Sequence, residues 1–285
     1  MPVNTATSAA STDIVRQLRD LPSLPAVVVE LLASMEADEV DAHLLGAKIA
    51  TDQSLTAKTL RLANSSFYGM ASKVTSIHQA IAVLGVHSIR TLVTACAVTG
   101  SFPADASLRF NFKGFWRHSV GTAVCARLLA PHLKLNPEAA FTAGLLHDIG
   151  TLVLATRLPQ TYELMLAYRR EHDCYLAEAE RAVFGTDHAA VGSALAAHWR
   201  FPASMQSAVA ADHDWEGALP PALPLLVHTA NIVAHGLDLA EDPEALVPPL
   251  SQAVWNALDL ADAEWQRLFR ATEAGYADMC QILVN

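Results

Sequence analysis

Apolar positions recur along this chain at the three-to-four-residue spacing of amphipathic helices. The first such pattern begins near Asp13, after a small and polar lead over residues 1–12 that has no apolar face to bury. Further patterns follow in short runs, and turn residues separate them. We therefore predict an all-α protein, a multi-helix bundle, whose 285 residues can bury one large core or two modest ones.

Capping residues mark several helix starts in the N-terminal part. Asp41 and Asp52 each stand before an apolar pattern, where an N-cap is expected, and Ser76 can cap a helix over 77–84. Gly85 can supply the left-handed residue that ends this helix. Helices are then predicted, in chain order, over 87–99, 112–129, 138–155, 162–170, 176–184, 189–199, 204–210 and 223–235.

The stretch 101–108 is the best candidate for a boundary inside the folded region, because it is polar, contains Pro and shows no periodicity. We predict an N-terminal helical lobe over 13–105 and a second helical lobe over 106–236. The remaining residues, 237–285, begin acidic and then carry two weaker amphipathic patterns, which predict a C-terminal helical extension.

Charge and cysteine content narrow the class of protein. The formal net charge is −10, and the 19 Lys and Arg residues are scattered rather than gathered into a stripe, so we expect no nucleic-acid partner. The 4 Cys residues lie far apart without CxxC spacing, which is typical of reduced cysteines in a cytoplasmic protein. The chain starts without a signal peptide, and no later stretch stays apolar for about 18 residues, so we expect no membrane partner.

The most informative residues are His147 and Asp148 in the segment GLLHDIGTL. An imidazole and an adjacent carboxylate can bind the same divalent cation, which needs several such donors. His118 lies 29 residues upstream in FWRHSVGTA, far enough to place it on a neighbouring helix. Further donors follow downstream, most of them near predicted helix ends: His188, Asp212, His213 and Asn231. The residue types leave open whether these side chains bind a metal or form a hydrogen-bonded polar core.

In this order, the residues resemble the HD superfamily of metal-dependent phosphohydrolases, whose pattern is a His, an HD pair and a later Asp. The N-terminal half narrows the resemblance. The segments LPSLP, TDQSLTAKTLRLANSSFYG and TSIHQAIAVLGVHSIRTL precede FWRHS and AFTAGLLHDIG, which is the succession of motifs found in HDOD domains, the HD-related output domains. The similarity extends over about residues 21–235.

The resemblance implies an HD-like bundle with an additional N-terminal helical lobe, in a bacterial signalling protein that often lacks demonstrable hydrolase chemistry. It also implies a cleft that could hold a divalent metal, Fe, Mn, Mg or Zn, although no cofactor is certain. The metal ligands implied are His118, His147, Asp148, His188, His213 and Asn231. The residues expected to line the cleft beside them are Thr151, Asp212 and Trp215. The histidines that stand isolated on helices, His228 and His235 among them, are assigned no role.

Two positions depart from the hydrolase pattern. Asn231 stands where the pattern has its final Asp, so it offers an amide oxygen but no charge to balance a cation. Thr151 stands where HD-GYP phosphodiesterases carry a Lys suited to holding a phosphate, and no GYP motif follows His213. We expect Asn231 to lower the affinity for metal, and the absence of the Lys and of the GYP motif argues against hydrolysis of a cyclic dinucleotide.

We predict a non-catalytic signal-transduction module that acts through a protein partner or a bound ligand, such as a nucleotide, and we assign no catalytic residue. The alternative is a metal-dependent phosphohydrolase acting on a nucleotide or cyclic dinucleotide, in which the metal activates a water molecule. No Lys or Arg stands beside HDIGT to hold the phosphate. A third hypothesis is a domain that senses a nucleotide or metal in the cleft without reacting, which the sequence does not separate from the first.

Overall fold

A computed structural model describes residues 41–65, 68–69, 73–102, 108–210 and 219–284. Within these ranges the backbone forms helices and connecting turns, without a β-strand, so the all-α prediction is confirmed. The α-helices are α1 Ala42–Ala50, α2 Gln53–Ala63, α3 Ile77–Ser101, α4 Phe112–Leu129, α5 Pro137–Leu146, α6 Ile149–Arg157, α7 Pro159–His172, α8 Leu176–Phe184, α9 His188–His198, α10 Ala203–Val209, α11 Ala222–Gly236, α12 Gln252–Leu258 and α13 Asp262–Leu283. A 3-10 turn, Ala130–Leu133, follows α4.

Side-chain caps fix the helices of the N-terminal part. Asp52 caps α2 and Ser76 caps α3, as the sequence predicts. Asn64, which follows α2, donates to the carbonyl oxygens of Leu60 at 2.7 Å and Val74 at 2.8 Å, and accepts from the Val74 N–H at 2.7 Å. Asn64 therefore closes the turn after α2 and ties it to the segment that precedes α3.

Gly85 kinks α3 instead of ending it. Its φ of +83° and ψ of 161° lie outside the helical region, in a conformation that glycine adopts without the strain a side chain would add. The sequence predicted two separate helices on either side of this glycine. The chain instead resumes its helical path directly after the kink, and α3 extends to Ser101.

The single helix predicted over 138–155 is in fact two helices, α5 and α6, which meet at His147 and Asp148. Asp148 has φ −100° and ψ 15°, which breaks the helix between them. Periodicity gave no sign of this break because residues on both sides of it are buried almost without interruption. The break matters for the site, since it turns the two side chains toward their neighbours.

In the part of the chain predicted to form the second lobe, α4 packs against α5, α11 and α13. Gly144 allows α5 to approach α4 closely, because a Cβ at this position would lie 2.9 Å from the Ala123 Cα. The C-terminal helix α13 also contacts α2 and α3, so it joins the two lobes. The boundaries proposed at residues 105 and 236 stay a prediction.

Two helical stretches in the described part of the chain, Ile77–Gly100 and Pro137–Arg157, are long and apolar enough to cross a membrane by length and composition. The expectation that no stretch reaches such a composition is therefore wrong. However, 61% and 83% of their most apolar windows are buried inside the protein. Core helices pass the same test, so these two stretches are weak evidence for a membrane span.

Candidate metal centre

The ends and the middle of four helices bring the predicted donors together. His118 lies in the middle of α4, His147 ends α5, and Asp148 precedes α6. His188 is the first residue of α9, whose N-terminus is capped by the carboxylate of Asp187. The structure thus brings donors from three separate stretches of the sequence, at residues 118, 147–148 and 188, onto neighbouring helices.

Three potential ligand atoms face one point. His118 Nε2 lies 3.2 Å from His147 Nε2 and 3.6 Å from Asp148 Oδ2, and His147 Nε2 lies 3.1 Å from the same carboxylate oxygen. These atoms are all within 4.8 Å of one another. His147 Nδ1 is 2.8 Å from the carbonyl oxygen of Gly144, which can only accept, so Nδ1 carries the proton. In the neutral ring, the lone pair of His147 Nε2 therefore points into the cluster.

The surroundings of Asp148 and His118 favour the forms of these two side chains that bind metals. Burial favours the neutral carboxyl, but the ring of His147 and, less strongly, those of His188 and His118 hold the pKa of Asp148 well below its usual range. Burial, together with the neighbouring rings of His235 and His147, lowers the pKa of His118 well below its ordinary value. A carboxylate and a neutral imidazole thus face each other in the cluster, which favours a bound cation.

His188 approaches Asp148 from the other side, with Nε2 3.5 Å from Asp148 Oδ1. Its Nδ1 donates to Glu180 Oε2 at 2.6 Å, and the same oxygen accepts the backbone N–H of His188 at 2.8 Å. Burial opposes a charged imidazole, but Glu180 outweighs burial and raises the pKa of His188 to about 10. Sequence reasoning missed Glu180. The available signal was a carboxylate on the buried face of α8, between Ala177 and Phe184.

Asn231 and His235 lie one turn apart on α11 and extend the cluster. The amide oxygen of Asn231 is buried and has no hydrogen-bond partner among the described residues. The ring centroid of His235 is 4.3 Å from that of His118, and burial lowers the pKa of His235 to about 4. The sequence assigned His235 no role, although its spacing of four residues from Asn231 placed both on one helix face.

A cavity of about 370 Å³ opens beside this cluster. His118, Asp148, His188 and Asn231 line it together with Thr151, which the sequence predicted to line the cleft. Aromatic side chains contribute further lining: Phe110, Phe115, Tyr162 and Tyr175. The volume lies toward the lower end of the range that small-molecule sites occupy, about 300–1,000 Å³.

Three arginines also line the cavity, and the sequence search around HDIGT missed them because they come from other elements: Arg109, Arg169 and Arg181. Arg169 donates to the carbonyl oxygen of Glu244 at 2.6 Å, and Arg181 lies 2.7 Å from the carboxylate of Asp187. The side chain of Arg109 is 83% exposed. Positive charge is therefore present around the cavity, but two of these arginines already contact acceptors of the chain itself.

The structure brings together His118, His147, Asp148, His188 and Asn231, whereas Asp212, His213 and Trp215 lie outside the described residues. The residues that are described fit a divalent metal. They offer imidazole nitrogens, a carboxylate and a buried amide oxygen that has no hydrogen-bond partner among the described residues. Sites with both nitrogen and oxygen ligands suit Mn, Fe or Zn better than sites with oxygen ligands alone do.

Comparison with known proteins relates this chain to a protein family. The family model of the HDOD domain matches residues 21–215. A solved HDOD domain protein of unknown function from Geobacter sulfurreducens is 25% identical, with a TM-score of 0.73 and coverage of 96% of this chain and 91% of that one. A candidate phosphohydrolase from Shewanella amazonensis SB2B is 26% identical, with a TM-score of 0.75 and coverage of 96% and 98%.

One curated relative, an uncharacterised protein of Treponema pallidum (strain Nichols), is 25% identical over 253 residues. The match covers 86% of this chain but 48% of that protein, so the chain spans about half the length of this relative. The family match, by contrast, covers more than half of the chain and includes the motifs from LPSLP to HDIG. This chain belongs to the HDOD domain family.

Proposed function

We propose that this chain is a cytoplasmic regulatory module that binds a divalent metal and an anionic small ligand in the cavity, and that signals to a protein partner without turning the ligand over. One observation carries the proposal. The buried cluster of His118, His147 and Asp148 is intact, whereas Asn231 supplies a neutral amide where the hydrolase pattern has its final carboxylate.

Several side chains of the cluster would bind the metal together. His118, His147 and Asp148 would hold it, and His188 and Asn231 line the same small cavity as His147 and Asp148. A bound divalent ion supplies positive charge and Lewis acidity for an oxygen of the ligand. The neutral state of His118 and the ionised state of Asp148 prepare these two side chains for that role.

The cavity walls favour a nucleotide over a simple anion. Aromatic side chains can stack on a base, and Tyr162, which is 6% exposed, offers a fixed surface for this contact. Arg169 and Arg181 stand where they can meet a phosphate group. The cavity volume of about 370 Å³ lies within the range of sites that hold a small molecule.

The same walls argue against turnover. Catalysis of phosphoryl chemistry relies on preorganised positive charge, and the loss of one such donor commonly costs about a hundredfold or more in rate. Here Arg169 and Arg181 already contact acceptors of the chain, and the acidic Asp242 and Glu244 line the cavity as well. A ligand phosphate would have to compete with these groups, which weakens the stabilisation of a transition state.

We expect the purified protein, supplied with Mn²⁺, Fe²⁺ or Mg²⁺, to bind mononucleotides saturably and to hydrolyse neither them nor cyclic dinucleotides at an enzyme-like rate, for which about 1 s⁻¹ is a low value. Calorimetry measures the binding, and chromatography of the nucleotides measures turnover. The control is Asp148→Ala, which should lose metal-dependent binding. Metal-dependent hydrolysis that Asp148→Ala abolishes would contradict the proposal.

The second candidate is a metal-dependent phosphohydrolase, which the intact cluster and the similarity to the Shewanella protein favour. Asn231→Asp separates the two functions, because it restores the carboxylate of the hydrolase pattern. If the missing charge alone prevents catalysis, this variant should bind metal more tightly and gain measurable hydrolysis. If it binds metal but stays inactive, the arrangement of the arginines is the further obstacle.

A further inference from the structure

Glu180 is a fully buried carboxylate, with 0% of its surface exposed, and the metal site as described above does not use it. It lies on α8, whose other buried residues include Ala177 and Phe184. An apolar side chain would be the ordinary occupant of such a position. The buried charge therefore requires an explanation.

Among the described residues, both hydrogen bonds of Glu180 come from His188. One carboxylate oxygen, Oε2, accepts both the ring Nδ1–H at 2.6 Å and the backbone N–H at 2.8 Å. The two bonds fix the first residue of α9 and the rotation of its ring at the same time. With the ring held in this way, Nε2 lies 3.5 Å from Asp148 Oδ1, on the side of the carboxylate away from His118 and His147.

Stability alone does not account for this arrangement. The second oxygen of Glu180, Oε1, is buried and has no hydrogen-bond partner among the described residues. A buried carboxylate with an unpartnered oxygen costs free energy, and replacing a buried ion pair with well-packed apolar residues is often neutral or stabilising. A role in the site accounts for the charge better than a role in the core does.

We propose that Glu180 is a positioning residue, which holds His188 so that Nε2 stays directed at Asp148 and at a metal bound there. The inference rests on the metal site of the proposed function. A carboxylate that accepts the second N–H of a ligating histidine fixes the orientation of the ring and raises its basicity. Loss of such a partner typically costs about 10–100-fold in metal affinity.

The test measures Mn²⁺ binding to the full chain, and the electron paramagnetic resonance signal of free Mn²⁺ reports how much of the ion is unbound. Glu180→Gln should weaken binding about 10–100-fold. Glu180→Asp, which keeps the charge but shortens the side chain, should also weaken Mn²⁺ binding. This variant replaces Glu180→Gln in the test if the Gln variant does not fold. The matched control is Glu138→Gln, a buried carboxylate paired with Arg127 and far along α5 from His147, which should leave the affinity unchanged.

A second readout does not depend on metal. In ¹⁵N-histidine NMR spectra of the metal-free protein, the Nδ1-bound proton of His188, assigned by its absence in His188→Gln, should be protected from exchange. In Glu180→Gln it should exchange at least about tenfold faster, because a neutral amide oxygen accepts this proton more weakly than a carboxylate does, and a difference of about 1.4 kcal/mol corresponds to a factor of ten. Unchanged Mn²⁺ affinity, or an unchanged exchange rate, in the Glu180 variants would overturn the positioning role. Absence of Mn²⁺ binding by the wild type would contradict the proposed metal site instead, while the exchange rate would still decide the role of Glu180.

Discussion

His147→Ala is expected to lower the affinity of the protein for Mn²⁺ by more than about a hundredfold, which exceeds the effect of losing a residue that only supports a ligand. His147 Nε2 is the closest donor to both of the other ligand atoms, at 3.2 Å from His118 Nε2 and 3.1 Å from Asp148 Oδ2. Its removal leaves two of the three donors that face one point, whereas zinc sites in proteins ordinarily have at least three protein ligands. Calorimetric titration and metal analysis of the purified protein measure the loss.

The substitution removes the hydrogen bond from Nδ1 to the Gly144 carbonyl, at a cost of about 1 kcal/mol, together with the contacts of Nε2 with His118 and Asp148. Circular dichroism of the variant and of the wild type shows whether the helical fold survives. The control is His198→Ala, an exposed histidine at the end of α9, which should bind Mn²⁺ as the wild type does. If His147→Ala retained the metal content of the wild type, the ion would be bound elsewhere, and the proposed centre would be wrong.

The sequence predicted the placement of some donors well, because local geometry determines it. His147 and Asp148 are adjacent, and the separation of His118 from them corresponds to a helix and a turn. His188 stands at a helix start that Asp187 caps, a signal which is local as well. For such residues, helix periodicity and capping predict the helix and the position on it where each side chain lies, and the order of motifs shared with HDOD domains indicates that these positions are close together.

Other parts of the site depend on contacts that no local pattern encodes. Arg169 and Arg181 reach the cavity from α7 and α8, and only tertiary packing brings these helices to the cluster. The break between α5 and α6 was hidden by a continuous run of buried residues. Glu180 and His235 could have been inferred from helical spacing, but only after the partner on the same or a neighbouring helix was known.

Among the glycines of the described residues, Gly150 of the HDIG segment on α6 has the shortest distance from its would-be Cβ to a neighbouring atom, and that atom belongs to α9. A Cβ on Gly150 would lie 2.0 Å from the carbonyl oxygen of His188 and 2.6 Å from the backbone nitrogen of Gly192. Both atoms belong to the backbone of α9, so a side chain cannot be accommodated by a change of rotamer. The two helices would have to move apart, and the start of α9 carries His188.

Gly150→Ala is therefore expected to lower the free energy of unfolding by about 3 kcal/mol, at the upper end of the cost of overpacking a core, and to weaken Mn²⁺ binding as His188 moves from Asp148. The matched control is Gly100→Ala near the end of α3, where a Cβ meets nothing within 4 Å. That change should be neutral or stabilise the protein by about 0.5–1 kcal/mol, since alanine favours helices over glycine. Urea unfolding followed by circular dichroism compares the two variants. Equal stability of both would show that α6 and α9 are not in the close contact described, and it would remove the reason for a glycine at this position.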